Sequence, residues 1–284
     1  MLSWQYALAA AGLLVVAAAA IRAGRLATRA AGHARAWALW GGVAREAALL
    51  FGLYALWQFA GSFAVMGTSG AVPRARWLWD AERFGHLPSE AAVQHPLLSH
   101  PLLIQACNLY YDILHFPALG ICLVWLYARH RAAYPRIRTT VALFTGASLL
   151  IQLIPVAPPR LLPMAHMVDT AVRYGQSVYS WSGGFDADEF SAMPSVHVGW
   201  ALIVAIAVIT VSRSRWRWLA AAYPVITLLV VVVTANHFWL DGVAAGLLVV
   251  LIMAGQRAGR RIRSGKSSQG SRTDPVRGEM SMRS

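Results

Sequence analysis

Two short segments hold the residue types that chemistry requires: Ser191-Ala192-Met193-Pro194-Ser195-Val196-His197 and Asn236-His237-Phe238-Trp239-Leu240-Asp241. Each stands at one end of a long apolar run. His237 and Asp241 are four residues apart, which on a helix is one face and about 6 Å along the axis. A carboxylate beside an imidazole fixes its tautomer and stabilises its charged form, so His237 is a candidate nucleophile or base and Asp241 its orienting acid. Pro194 suits the opening turn of a helix. Ser195 and His197 would then lie beside free N–H groups at the positive end of the dipole, a site for an anion and above all for phosphate. A third segment, Pro155-Val156-Ala157-Pro158-Pro159-Arg160, stops a helix and holds Arg160 at its end, where a guanidinium can grip phosphate through a bidentate pair. Taken singly, each residue has a plainer reading, as an interfacial histidine or a snorkelling arginine. Taken together they describe one phosphate-handling site.

The elements that must position these residues are membrane helices. Of 284 residues, 57% are hydrophobic and only 13% charged, which is not the balance of a soluble domain. Apolar runs of spanning length recur along the chain. They fall at roughly Trp4–Ile21, Val43–Met66, Leu109–Ala128, Thr139–Val156, Pro194–Val211, Trp218–Ala235 with a kink expected at Pro224, and Asn236–Gly255. The expected fold is therefore an all-α polytopic membrane bundle of about seven transmembrane helices. Residues 1–42 read as an N-terminal helix with a basic loop, 43–256 as the membrane core, and 257–284 as a disordered basic tail.

The net charge of +13 does not point to nucleic acid, because the arginines sit between the spans. Of the 25 basic residues, only Arg74, Arg76, Arg83, Arg160 and Arg173 fall in segments on one side of such a bundle. The rest fall on the other side, predicting an extracytoplasmic N-terminus, a cytoplasmic C-terminus in the cell membrane, and all the candidate residues at the outer face. Residues 67–108, with Trp77, Trp79 and Phe84 among charges and prolines, read as interfacial helices on the bilayer surface. The third span opens with Asn108, Tyr111, Asp112 and His115, unusually polar for lipid. Asp112 and His115 can share a face and are candidates for function or for a helix-packing hydrogen bond. Cys107 and Cys122 would lie about 22 Å apart on a continuous helix, too far to pair. The loop before Ala192 contains Asp169 and Arg173 as further polar residues.

Pro194-Ser195-Val196-His197 matches the Pro-Ser-x-His motif of the type-2 phosphatidic acid phosphatase superfamily, and His237 with Asp241 matches its closing His-x-x-x-Asp. The chain thus resembles these membrane lipid phosphatases and phosphotransferases. The run Ala157-Pro158-Pro159-Arg160 looks most like the branch containing inositol phosphorylceramide synthase. Leu153 stands where the family's first motif usually has lysine, Leu161 follows Arg160 in place of proline, and Val231 replaces the arginine six residues before the last histidine. The resemblance implies a six-helix core preceded by an extra helix. It also implies a lipid phosphate substrate in the bilayer, and no metal or cofactor. By resemblance, His237 is the nucleophile, Asp241 orients it, His197 is the general acid and base, and Arg160 and Ser195 bind the phosphoryl oxygens.

Two other classes of function draw on the same residue types. His197, His237 and Asp241 are also the donor types of a metal that activates water. A transporter with a polar pathway would instead place its site near the midplane on broken helices, whereas these residues gather at one surface.

Overall fold

The structure is a computed structural model and describes residues 4–27, 40–49, 51–52, 55, 70–176 and 190–270. Among these residues it is all-helical, with one isolated parallel β-bridge between Val156 and Ser191. The long helices are α1 (Trp4–Ala27), α2 (Ala71–Phe84), α3 (Pro101–Leu109), α4 (His115–Arg129), α5 (Tyr134–Gln152), α6 (Val196–Val211), α7 (Ala222–Val233) and α8 (Trp239–Gly270). A π-helical turn, Tyr110–Leu114, joins α3 to α4, so Pro101–Arg129 is one continuous rod.

Among the described residues, three helices are long and apolar enough to cross a membrane: Pro101–Arg129, Arg215–Val233 and Trp239–Ile262. Leu8–Ile21 and Val196–Val211 are shorter apolar helices. The second expected span, 43–66, lies largely outside the described residues. The fourth is shifted toward the N-terminus, because Pro135 opens α5 in the basic turn and brings Arg136 and Arg138 into it. The third begins earlier than expected: Pro101, at the first helical position, starts the helix inside the stretch assigned to the bilayer surface. The irregularity expected at Pro224 is a 3-10 stretch, Arg215–Ala221, ahead of α7. The tail assigned to disorder starts as helix, since α8 runs on to Gly270 through the helix formers Gln256, Arg257 and Ala258. Residues 271–284 lie outside the described residues.

α6 is the central helix and packs against α4, α5, α7 and α8. Leu123, Leu126, Val141, Phe144, Ile203, Val231 and Val249 share its core. At Gly199 a Cβ would sit 1.9 Å from Cζ of Phe144, so only glycine lets that ring lie against the start of α6. Polar side chains are paired inside: Trp200 Nε1–H donates to Thr145 Oγ1 at 3.0 Å, and Tyr110 and Thr227 hydroxyls meet at 2.9 Å. Leu143, Leu150, Leu229, Leu247 and Leu251 point outward. Apolar outside with paired polar groups inside is the pattern of helices packed in lipid. The carboxylate of Glu46 is held by both oxygens to Nη1 of Arg138 at 2.7 Å, tying the 40–49 helix to α5.

Chain direction then sorts the ends. The end of α5 and the start of α6, and likewise the end of α7 and the start of α8, fall at one pole. The basic turns Arg129–Arg138 and Arg213–Arg217 fall at the other. At the first pole the extended segment after α5 pairs with the strand-like entry to α6: Val156 N–H donates to Phe190 O at 2.7 Å and Ala192 N–H to Val156 O at 3.3 Å. α2 covers this pairing with the stripe Ala71, Ala75 and Leu78, which packs on Val156, Ala157, Leu162, Ala192 and Phe238. α2, within the stretch expected on the bilayer surface, is therefore a roof over these connectors.

Candidate active site

His237 stands in the tight link between α7 and α8. Ala235 adopts the left-handed conformation at φ 58°. Ala235 N–H donates to Val232 O at 2.9 Å, and Asn236 N–H to Val231 O at 3.1 Å. This is a Schellman-type stop, made with alanine where glycine is usual. His237 N–H reaches the same Val231 carbonyl at 3.1 Å, so Val231, which replaces an arginine of the resembled motif, shapes the turn through its backbone. The His237–Asp241 pair is thus not on one helix face as expected: His237 precedes the helix, and Asp241 lies in its first turn.

The contact forms nonetheless. Asp241 Oδ2 accepts Phe238 N–H at 2.8 Å, the back-reaching half of a capping box, and lies 3.3 Å from His237 Nδ1. Nδ1 has a second, shorter contact, 2.7 Å to the carbonyl oxygen of Ala192. A peptide carbonyl can only accept, so Nδ1 carries the hydrogen and the ring's lone pair is on Nε2. Asp241 is fully buried and His237 is 4% exposed, which keeps competing water from this arrangement. Sequence reasoning missed Ala192 as a participant, because a backbone acceptor leaves no side-chain signature.

Pro194 lies one residue before the cap of α6, outside the first turn where it was expected. Ser195 is the N-cap: its Oγ accepts Val198 N–H at 3.4 Å, and its own N–H donates to the main-chain oxygen of Asp241 at 3.2 Å. Ser195 is fully buried and bolts the two motifs together. Gln152 steadies the same entry, with Nε2–H donating to Ser191 O at 3.3 Å and Pro194 O at 3.4 Å. His197 follows in the first turn, its ring centroid 6.0 Å from that of His237.

Arg160 reaches the same link from the segment after α5. Its N–H donates to Ala235 O at 3.3 Å, and its guanidinium donates through Nη1 to Asn236 Oδ1 and pairs through Nε with Asp169 Oδ2 at 3.3 Å. Asn236 is fixed in turn by donating to Thr234 Oγ1 at 2.9 Å. Asp169 is held because its Oδ1 caps the short Thr170–Arg173 helix at 3.0 Å. Gln94 and Asn108 pin that loop: Gln94 exchanges 2.8 Å bonds with the backbone of Val168, and Thr170 Oγ1–H donates to Asn108 Oδ1 at 2.9 Å. Asp169 thus joins the site as the partner of Arg160, while Arg173 ends its short helix beside Tyr174.

Two further groups gather here. From the π-turn and the start of α4 come Tyr111, with its ring 4.3 Å from that of His197, and His115, at 4.7 Å from it. Their polarity in a lipid span was the available signal. From α2 comes Glu82, fully buried, whose Oε1 accepts Leu240 N–H at 2.8 Å beside Asp241. Burial, a hydrogen bond with Glu90 and the nearby Glu90 and Asp241 charges push the Glu82 carboxyl up to about 9. Arg83 lies 3.6 Å from Glu82 and 3.5 Å from Glu90. No local pattern separates Glu82 from the exposed charges around it.

The connectors therefore bring His237, Asp241, His197, Ser195 and Arg160 to one pole from separate elements. The arrangement offers a nitrogen nucleophile of fixed tautomer, a second imidazole beside it, and a buried guanidinium. No curated protein and no solved structure matches the chain. The profile of the PAP2 superfamily, the group the motifs resemble, matches residues 76–255, more than half of the 284 residues and the whole of this site, and the chain belongs to that superfamily.

Proposed function

We propose that this membrane protein transfers the phosphoryl group of a lipid phosphate ester through a phosphohistidine on His237. The observation that carries the reading is the double hold on His237 Nδ1, by Ala192 O at 2.7 Å and Asp241 Oδ2 at 3.3 Å, which turns Nε2 into the nucleophile. In the first half, Nε2 attacks phosphorus, the P–N bond forms, and the P–O bond to the lipid breaks. His197 gives its proton to the departing oxygen. The imidazolium charge that develops on His237 is stabilised by its two acceptors. In the second half, His197 takes a proton from the acceptor hydroxyl, whose oxygen attacks phosphorus and frees His237.

Arg160 and the first-turn N–H groups of α6 are the groups placed to stabilise charge on the phosphoryl oxygens. Ser195 contributes by capping that helix, with its hydroxyl proton available to the same oxygens. The acceptor is water in a phosphatase and an alcohol in a transferase. The Ala157-Pro158-Pro159-Arg160 run and Val231 support the transferase side, of the inositol phosphorylceramide synthase type. We further place the site on the extracytoplasmic side of the cell membrane, on the strength of the basic turns at the opposite pole.

The test is phosphate release and headgroup transfer measured on polyprenyl, glycerol and inositol phospholipids in detergent micelles. Turnover of at least one class, lost in His237→Ala, supports the reading. Equal turnover by His237→Ala refutes it.

A further inference from the structure

His237 has two groups to hold its inner nitrogen, but the partner histidine of the reaction has none from its own motif. His197 Nδ1 is buried and has no hydrogen-bond partner among the described residues. A buried polar atom left unpaired forfeits its hydration with nothing in return, so an enclosed nitrogen calls for an acceptor or donor close by. The nearest imidazole to it is that of His115, whose ring meets that of His197 edge to face at 4.7 Å, with planes 81° apart.

His115 is itself 1% exposed, and its Nε2 is likewise buried without a partner. Its Nδ1 lies 3.3 Å from the carbonyl oxygen of Tyr111, which can only accept. Nδ1 of His115 therefore bears the hydrogen and Nε2 a lone pair. The π-turn Tyr110–Leu114 shifts the helical register just before His115, a distortion frequent at functional sites. Among the described residues, the other titratable groups whose rings meet the two are Tyr111 at 4.3 Å from His197, Tyr110 at 5.4 Å and Tyr223 at 6.1 Å from His115, and His237 at 6.0 Å from His197, and none of these is a carboxylate. No group of three His, Cys, Asp or Glu among the described residues is arranged to hold a metal ion, so proton handling is the chemistry to ask of the cluster.

The two nitrogens do not bond one another in this structure, and the geometry points to His115 as the positioning residue of His197: when His197 takes up its proton, a turn of its ring lets the His115 Nε2 lone pair receive the Nδ1–H and aims the opposite nitrogen toward the leaving oxygen. The inference rests on the proposed function. His197 enters the first half as imidazolium, with a hydrogen on each nitrogen. The outer hydrogen passes to the departing oxygen as the P–O bond breaks, and the inner one stays between His197 and His115. In the second half the outer nitrogen regains a proton from the acceptor hydroxyl. His115 neither gains nor loses a proton over the cycle. It does for the general acid what Asp241 and Ala192 do for the nucleophile.

The experiment uses full-length protein and two phosphomonoesters with the same alkyl tail, carried on an alcohol in one and on a nitrophenol in the other. A nitrophenolate leaves with little need of protonation, so it bypasses His197. His115→Leu is expected to lower kcat/KM on the alkyl ester by roughly 10–100-fold, the size found for partners that orient metal-bound histidines. On the nitrophenyl ester the loss is expected to be small. His115→Gln, which keeps an acceptor, recovers part of the alkyl-ester loss. Adding His115→Leu to His197→Ala causes no further loss, as required of two residues acting as a unit. Equal losses on both esters, a Gln variant as impaired as Leu, or a full additional loss in the His197→Ala background would each make His115 a packing residue and overturn the inference. Turnover that survives His237→Ala overturns the phosphohistidine reading itself, whereas insensitivity to the leaving group overturns this inference alone.

Discussion

The carbonyl oxygen of Ala192 sits 2.7 Å from Nδ1 of His237, closer than the carboxylate oxygen of Asp241 at 3.3 Å. The tautomer of His237 is therefore secured twice, once by a backbone atom that no point substitution can remove. When the acid of a triad is neutralised and the histidine takes the wrong tautomer, activity falls about 10⁴-fold. Here Asp241→Asn leaves the Ala192 acceptor in place and is expected to cost less, on the order of 10²–10³-fold in kcat/KM. A loss of the full triad size would show that Ala192 does not hold the ring.

Arg160 meets Asp169 and Asn236 through separate guanidinium nitrogens. Lysine has the charge without the planar fork. Arg160→Lys is accordingly expected to lose most of what Arg160→Ala loses, roughly 10²–10³-fold if the guanidinium stabilises the transition state as an oxyanion donor does. Kinetics of the two variants on one lipid phosphate decide this. A lysine variant of near wild-type activity would reduce the role of Arg160 to simple charge.

Glu82 gives a pH signature. Its carboxyl, pushed from the ordinary 4.5 to about 9 first by burial and then by its hydrogen bond with Glu90, keeps its proton in the folded protein where the unfolded chain has lost it. Across that window the folded state binds more protons, so stability falls as pH rises. The melting temperature in detergent is expected to decline between about pH 6 and pH 9. Glu82→Gln, which still accepts Leu240 N–H, is expected to flatten the decline. An unchanged slope in the variant would place the titration elsewhere.

Much of the site was legible because its residues sit in compact motifs beside apolar runs. His237, Asp241, His197 and Arg160 needed only the rule that helix ends at one pole come together. The local geometry was less so. The spacing of His237 and Asp241 fits a helix face, yet the chain uses a left-handed Ala235 and a capping turn to make the same contact. Ser195 was expected within the first turn of its helix, and the structure makes it the cap before that turn, with Oγ accepting Val198 N–H. Glu82 and Glu90 were illegible: Glu82 ends the buried stripe of Ala71, Ala75 and Leu78 on α2, Glu90 is buried at the start of the next short helix, and in both the burial of a charge depends on tertiary packing. His115 was visible as a polar residue in lipid, but its neighbour on α6 is distant in sequence and only the fold supplies it.

The orientation proposed for the membrane is open to direct labelling. A cysteine at Gly183 is expected to react with an impermeant reagent in intact cells, and a reporter fused after Ser284 to be active in the cytoplasm. Gly183 labelling only after permeabilisation would invert the topology and move the site to the cytoplasmic face.

The central claim is that His237 Nε2 takes the phosphoryl group. Its most direct test is to quench the enzyme during turnover of a radiolabelled lipid phosphate and examine the protein. The account predicts label that is acid-labile and base-stable, present on the wild-type protein and absent from His237→Ala, which also falls to background turnover. Label that persists on His237→Ala, or a His237→Ala variant that turns over its lipid substrate at the wild-type rate, would contradict it.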